Sequence, residues 1–108
     1  MSHPLVTGRA GQFAGVSTPV PAAGLLLGRE AAGASALVFA EDTEVSRRHC
    51  RIEYVNAQRR FRVTDLGSRN GSFSMPDGKR LPAQQPQLFR PGQLIRLGER
   101  EVFELSLA

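Results

Sequence analysis

His49-Cys50-Arg51-Ile52-Glu53-Tyr54-Val55 runs into Asn56-Ala57-Gln58-Arg59 and then Arg60-Phe61-Arg62-Val63-Thr64, and this stretch decides the fold class. Cys50, Ile52 and Tyr54 fall on one face of an extended chain, and Arg51 and Glu53 fall on the other. That period of two marks a half-buried strand. Val55 to Arg59 reads as a turn, after which Phe61 and Val63 again point one way. Two alternating runs joined by a short polar link predict a β-hairpin.

Working outward, the same period returns at Val102 to Leu107, where Phe103, Leu105 and Leu107 share a face. Leu94 to Leu97 is a further strand, entered from the Pro91-Gly92 turn. Leu25-Leu26-Leu27 and Leu37-Val38-Phe39 are short apolar runs whose length and flanking glycines favour strands over helix. Val16 to Val20 is a weaker strand, and its Pro19 suits a sheet edge because proline donates no ladder hydrogen bond. Ala31-Ala32-Gly33-Ala34 has helical propensity, but Gly33 and the short span favour a loop. With 11 glycines and 7 prolines in 108 residues, the chain predicts seven or eight short strands joined by tight turns. The expectation is an all-β sandwich or barrel. Residues 1–12 read as an N-terminal leader or a first edge strand, and residues 13–108 as the domain proper.

Composition narrows the function. Thirteen of the fourteen basic residues are arginine, and the formal net charge is +4. Guanidinium offers a fixed fork of donors suited to phosphate and carboxylate. A solvated surface is the plainer account of most of these arginines. The single cysteine, Cys50, excludes an internal disulfide and reads as a buried strand residue. No secretory leader pattern and no apolar run of about 18 residues is present, so the expected setting is cytoplasmic, with no membrane partner. His3 and His49 are the only histidines, neither lies at metal-ligand spacing from Cys50, and no phosphate-binding loop of the Gly-Lys-Ser/Thr type occurs. The reading is therefore a binding module with no catalytic residues, no metal and no cofactor.

Polar residues gather instead at strand ends, in Gly28-Arg29, in Ser46-Arg47-Arg48-His49, and in Asp65-Leu66-Gly67-Ser68-Arg69-Asn70-Gly71. Loops carried on a β scaffold are where binding groups usually lie. Asn70-Gly71 is a strong turn signal, because both residue types tolerate positive φ. Together the three segments supply guanidinium, hydroxyl and amide donors, the partners a dianionic phosphate requires.

Gly28-Arg29, Ser46-Arg47-Arg48-His49, Gly67-Ser68-Arg69-Asn70-Gly71 and Gly92-Gln93-Leu94-Ile95-Arg96-Leu97-Gly98, in that order, make the chain resemble the forkhead-associated (FHA) family. The resemblance implies a β-sandwich of two antiparallel sheets, recognition loops at one end, and binding of a threonine-phosphorylated protein segment. It implies that Arg29, Ser46 and Arg47 contact the phosphate, and that Ser68, Arg69 and Asn70 contact the peptide. Gly28, His49, Gly67 and Gly71 would then support the site, with His49 joining loop to loop rather than acting as a base. The residue-level alternatives stay open: a surface arginine at 29, a capping hydroxyl at 46, a pure turn residue at 70. Arg69 departs from the threonine common in the family, which bears on threonine against serine preference. A link to a Ser/Thr kinase pathway or to secretion machinery follows from family analogy alone. The main alternative function is a phospho-independent interaction or dimerisation role on the same fold. Nucleic-acid binding is a more distant one, because no paired aromatics are expected on the strand faces.

Overall fold

The computed structural model describes residues 3–30 and 36–108. Eleven strands run through them: β1 Pro4–Ala10, β2 Ser17–Pro19, β3 Leu25–Gly28, β4 Ala36–Val38, β5 Cys50–Val55, β6 Arg60–Asp65, β7 Ser72–Met75, β8 Lys79–Arg80, β9 Gln87–Phe89, β10 Leu94–Leu97 and β11 Glu101–Leu107. They form a six-stranded sheet in the order β2-β1-β11-β10-β7-β8 and a five-stranded sheet in the order β4-β3-β5-β6-β9. All pairs are antiparallel except β3 with β4. The all-β sandwich expected from the alternating runs is the architecture observed.

The hairpin predicted over residues 49–64 is β5–β6, paired from Cys50 opposite Asp65 to Val55 opposite Arg60. Its inward residues Cys50, Ile52, Phe61 and Val63 are fully buried. From the facing sheet come Val6, Ile95, Leu97, Phe103 and Leu105, also fully buried. Alternation on both sheets thus meets in one core, which is the reason the two-residue period specifies a sandwich. Phe39 stacks edge-on against Phe13 at 4.9 Å and against Phe103 at 5.9 Å, closing the core beneath one end.

Three expectations are revised. The strands number eleven among the described residues, because two- and three-residue strands such as β8 and β9 are too short to show a period. The opening segment is neither a leader nor an edge strand: β1 lies inside the sheet, with β11 on one side and β2 on the other. A boundary at residue 12 would separate two paired strands. Gly8 explains why this segment is hard to place, since a Cβ there would lie 1.9 Å from the Phe13 carbonyl oxygen where the chain doubles back. Pro19 does lie on the edge strand β2, with its nitrogen facing no ladder. The loop expected at Ala31-Ala32-Gly33-Ala34 lies outside the described residues.

Candidate functional site

Three connections gather at one end of the sandwich: the exit of β3, the loop of residues 39–49 before β5, and the loop of residues 66–71 between β6 and β7. Backbone contact fixes the first two against each other. Leu27 accepts from the His49 amide at 2.9 Å, Ser46 from the Arg29 amide at 2.9 Å, and Arg47 from the Glu30 amide at 3.1 Å. Gly28 permits this approach, because a Cβ would stand 2.2 Å from the Arg47 carbonyl oxygen. The Arg29 side chain, half-buried, donates from Nε to the Val45 carbonyl at 2.7 Å. Its two terminal nitrogens make no hydrogen bond among the described residues, which leaves a fork of donors held by its stem.

Ser46 is fixed from both directions. Its amide donates to Nδ1 of His49 at 3.0 Å, and its hydroxyl oxygen accepts from the Arg69 amide at 3.0 Å. A serine hydroxyl carries one donor besides its lone pairs, and that donor has no acceptor among the described residues. His49 is fully buried. Because Nδ1 accepts, the proton sits on Nε2, which donates to the Gly71 carbonyl at 2.8 Å. Burial pushes the imidazole below its ordinary pKa, more than the Gly71 bond and the charges of Asp65 and Asp42 push it up. A neutral ring therefore ties the Ser46 loop to the Gly71 loop.

The third loop is built on Asp65, which is 2% exposed. Its carboxylate accepts from the amides of Gly67 and Ser68 at 3.0 and 2.9 Å, from the Ser68 hydroxyl, and from the Ser72 hydroxyl at 2.6 Å. Burial pushes this carboxyl up, but the two hydroxyls and the Ser68 amide outweigh it and hold it below its ordinary value. Ser68 corrects the sequence reading. At 7% exposure its hydroxyl donates to Asp65 and accepts from the Gly71 amide at 3.0 Å, so it braces the loop and is not available to a peptide. Gly71 has φ of 89°, and a Cβ there would meet the Phe73 ring and Arg80 Nε at 2.9 Å. Gly67 turns the chain at φ of 82°.

Asn70 is exposed, and its Nδ2 donates to the Glu44 carbonyl at 2.9 Å. That bond leaves the side-chain carbonyl as its main group for a ligand. Arg69 is exposed beside it. Arg47 points to solvent with 74% of its side chain exposed and pairs with Glu30 at 3.1 Å. The structure thus brings Arg29, Ser46, Arg47, Arg69 and Asn70 to one end, with Gly28, His49, Gly67, Ser68 and Gly71 beneath them.

The FHA domain family model matches residues 25–98, which include all three loops. The chain belongs to the FHA domain family. Among solved structures, the FHA domain of the CT664 protein from Chlamydia trachomatis is 23% identical, with 96% of each chain covered and a TM-score of 0.76. The FHA domain of an Arabidopsis thaliana hypothetical protein is 22% identical over 100% of this chain and 87% of that one, with a TM-score of 0.81. The MEK1 FHA domain, solved in complex with a HOP1 phosphothreonine peptide, is 18% identical over 98% of this chain and 95% of that one, with a TM-score of 0.70. No curated protein sequence matches the chain.

Sequence reasoning missed two supports of this FHA loop end. Asp65 reads as an ordinary strand-end carboxylate, yet the Asp-x-x-Ser spacing to Ser68 is the signal of a side chain folding back on its own turn. Arg80, remote in sequence, reaches the carbonyls of Ser68 and Arg69 at 3.3 and 3.4 Å. Nothing local to Arg80 announces this. Cys50 is buried in the sheet, and burial pushes its thiol far above the ordinary range.

Proposed function

We propose that this FHA domain binds a phosphothreonine segment of a partner protein at the loop end. The observation that carries the reading is a pair of anchored but unused donors. Arg29 is held through Nε and Ser46 through its oxygen and amide, while the remaining Arg29 N–H groups and the Ser46 hydroxyl proton have no acceptor among the described residues. Donors fixed before binding lose little freedom on meeting a phosphate. Arg47 and Arg69 add positive charge at the rim, and the net charge of +4 favours encounter with an anionic segment. The Asn70 side-chain carbonyl, which takes no part in the Nδ2 bond to Glu44, would accept from a peptide amide. The phosphothreonine peptide bound by the MEK1 FHA domain supports the same chemistry here. The partner is a substrate of a Ser/Thr kinase in the cytoplasm, with secretion machinery as a second setting.

Arg47 contributes little of this affinity. Its exposed pair with Glu30 competes with any phosphate contact, and exposed pairs are worth about 0.2–1 kcal/mol. Arg47→Ala is expected to weaken phosphopeptide binding by about five-fold or less, read by fluorescence anisotropy. A much larger loss would move Arg47 to the centre of the site.

The function is tested by titrating the domain with a degenerate phosphothreonine peptide pool, its unphosphorylated twin and a phosphoserine pool. Binding is expected only for phosphorylated pools. A niche for the threonine methyl is worth about 1 kcal/mol, so phosphothreonine should lead phosphoserine by about five-fold. Equal binding of the two would mean that Arg69 relaxes that preference. Binding without phosphate would overturn the reading in favour of a phospho-independent interaction domain.

A further inference from the structure

Asp42, in the loop of residues 39–49, and Glu101, at the start of β11, line one cavity. Asp42 is 6% exposed and Glu101 2% exposed, and both carboxyl groups are thus almost wholly withdrawn from water. They sit in the wall of a cavity of about 280 Å³ with Gly11, Gln12, Glu41 and Arg100. Each has one oxygen accounted for. Asp42 Oδ1 accepts from the Glu44 amide at 2.9 Å, and Glu101 Oε1 accepts from the Gln12 amide at 2.9 Å. Asp42 Oδ2 is buried and has no conventional donor. Two buried carboxyl groups lining one cavity repel each other strongly when both are charged.

A proton resolves this better than a cation does. Arg100 already borders the cavity, and among the described residues no group of three ligating side chains occurs. The Gly11 backbone lies so close that a Cβ there would fall 2.4 Å from Glu101 Oε1, which leaves no room on that side.

The Asp42 turn also holds the binding loop. The Asp42 carbonyl accepts from the Val45 amide at 3.1 Å, and the Val45 carbonyl holds Arg29 Nε at 2.7 Å. Glu44, whose amide Asp42 caps, holds Asn70 Nδ2 through its carbonyl at 2.9 Å. Glu101, by contrast, is fixed at the start of β11 opposite Leu97. A bond between the two side chains would therefore fasten the loop to the sheet.

We propose that Asp42 and Glu101 share one proton, donated by Glu101 to Asp42 Oδ2, and that this proton latches the phosphate-binding loop to the sheet, so that phosphopeptide affinity falls when rising pH removes it. This rests on the reading of the loop end as a phosphothreonine site.

Burial first, then the bond and charge of Asp42, push Glu101 up to about 7, with the Gln12 amide and Arg100 opposing. The bond from Glu101 is the main cause holding Asp42 down; burial opposes it, while the Glu44 amide, Arg100 and His49 assist. Glu41 borders the cavity, and the Glu44 side chain stands over Gly98. Below about 7 the pair carries one negative charge and one proton. Above it the pair carries two charges and the latch opens. The ligand works in the opposite sense, since a phosphothreonine gains its second charge near pH 6 and binds better above it. The affinity profile should therefore rise and then fall.

The test is a pH series from 5.5 to 8.5 on the whole domain, wild type and Glu101→Gln. Glutamine keeps the shape, accepts from Gln12 and donates to Asp42 without titrating. Wild type should lose about five-fold in affinity for a phosphothreonine peptide above pH 7, a typical size for coupled sites, and Glu101→Gln should lose none of it. In the same series without peptide, the Glu101 carboxyl carbon should titrate near 7 by NMR, with the Glu44 and Ser46 amides shifting in step. A Glu101 carboxyl titrating in the ordinary glutamate range would overturn the latch, as would superimposable affinity profiles. Should the glutamine variant misfold, Asp42→Asn and the wild-type carboxyl titration decide instead. Absence of any phosphopeptide binding would remove the functional reading alone, because the peptide-free titration still decides whether the proton fastens the loop.

Discussion

Arg29→Ala is expected to abolish most phosphopeptide binding, by about 100-fold or more in anisotropy titrations. Hydrogen bonds to charged groups are worth about 1.5–3 kcal/mol, and truncating one side of a paired charge costs about 2–5 kcal/mol. About 3 kcal/mol corresponds to a factor of more than 100. The substitution removes the terminal nitrogens that have no other partner, and also the Nε bond to the Val45 carbonyl. Arg29→Lys separates the two effects. Lysine keeps the charge but cannot hold Val45 and present a fork together, so it should recover only part of the loss. Full activity in the lysine variant would mean that charge alone is read at this position. Unchanged binding in Arg29→Ala would remove Arg29 from the site.

Asp65→Ala is expected to be the most destabilising single change at the loop end. It strips a buried carboxylate from two amides and two hydroxyls at once. Breaking such a network costs about 3–5 kcal/mol, and the melting temperature should fall by roughly 15 °C. Peptide affinity should fall as well, since Ser68, which supports Gly71, loses its acceptor. A melting temperature within about 3 °C of wild type would show that the network contributes little net stability. Acid adds a second test. The folded-state pKa of Asp65 lies below its ordinary value of 3.8. Its contribution is therefore fully present above 3.8 and is lost as pH falls through the folded value. Wild type should lose stability more steeply than Asp65→Asn in that acid range.

Most of the fold was legible because its central strands are amphipathic and sit beside their sequence neighbours. The β5–β6 hairpin and β11 declare their inward faces by alternation alone. β1 does not, because its main partner, β11, lies almost a whole chain length away and its one glycine, Gly8, serves a close backbone approach at Phe13. At the site, the residues on the loop surface were legible as motifs, and the ones beneath were less so. Ser68 shows the limit: its place in a Gly-Ser-Arg-Asn-Gly string points to a contact, and only the inward turn toward Asp65 reveals a brace. Asp42 and Glu101 are 59 positions apart, so nothing local in either segment marks them as a pair.

The strand order has one further consequence. Four strands have an open side: β2 and β8 in one sheet, β4 and β9 in the other. Among the described residues these have two or three residues each, while every interior strand has four or more. A two-residue edge ending in Lys79 and Arg80, or one closed by Pro19, is a poor template for a foreign strand, because too few backbone groups are left to recruit one. The sandwich thereby resists edge-to-edge aggregation, so a partner that meets this domain has little strand edge to extend.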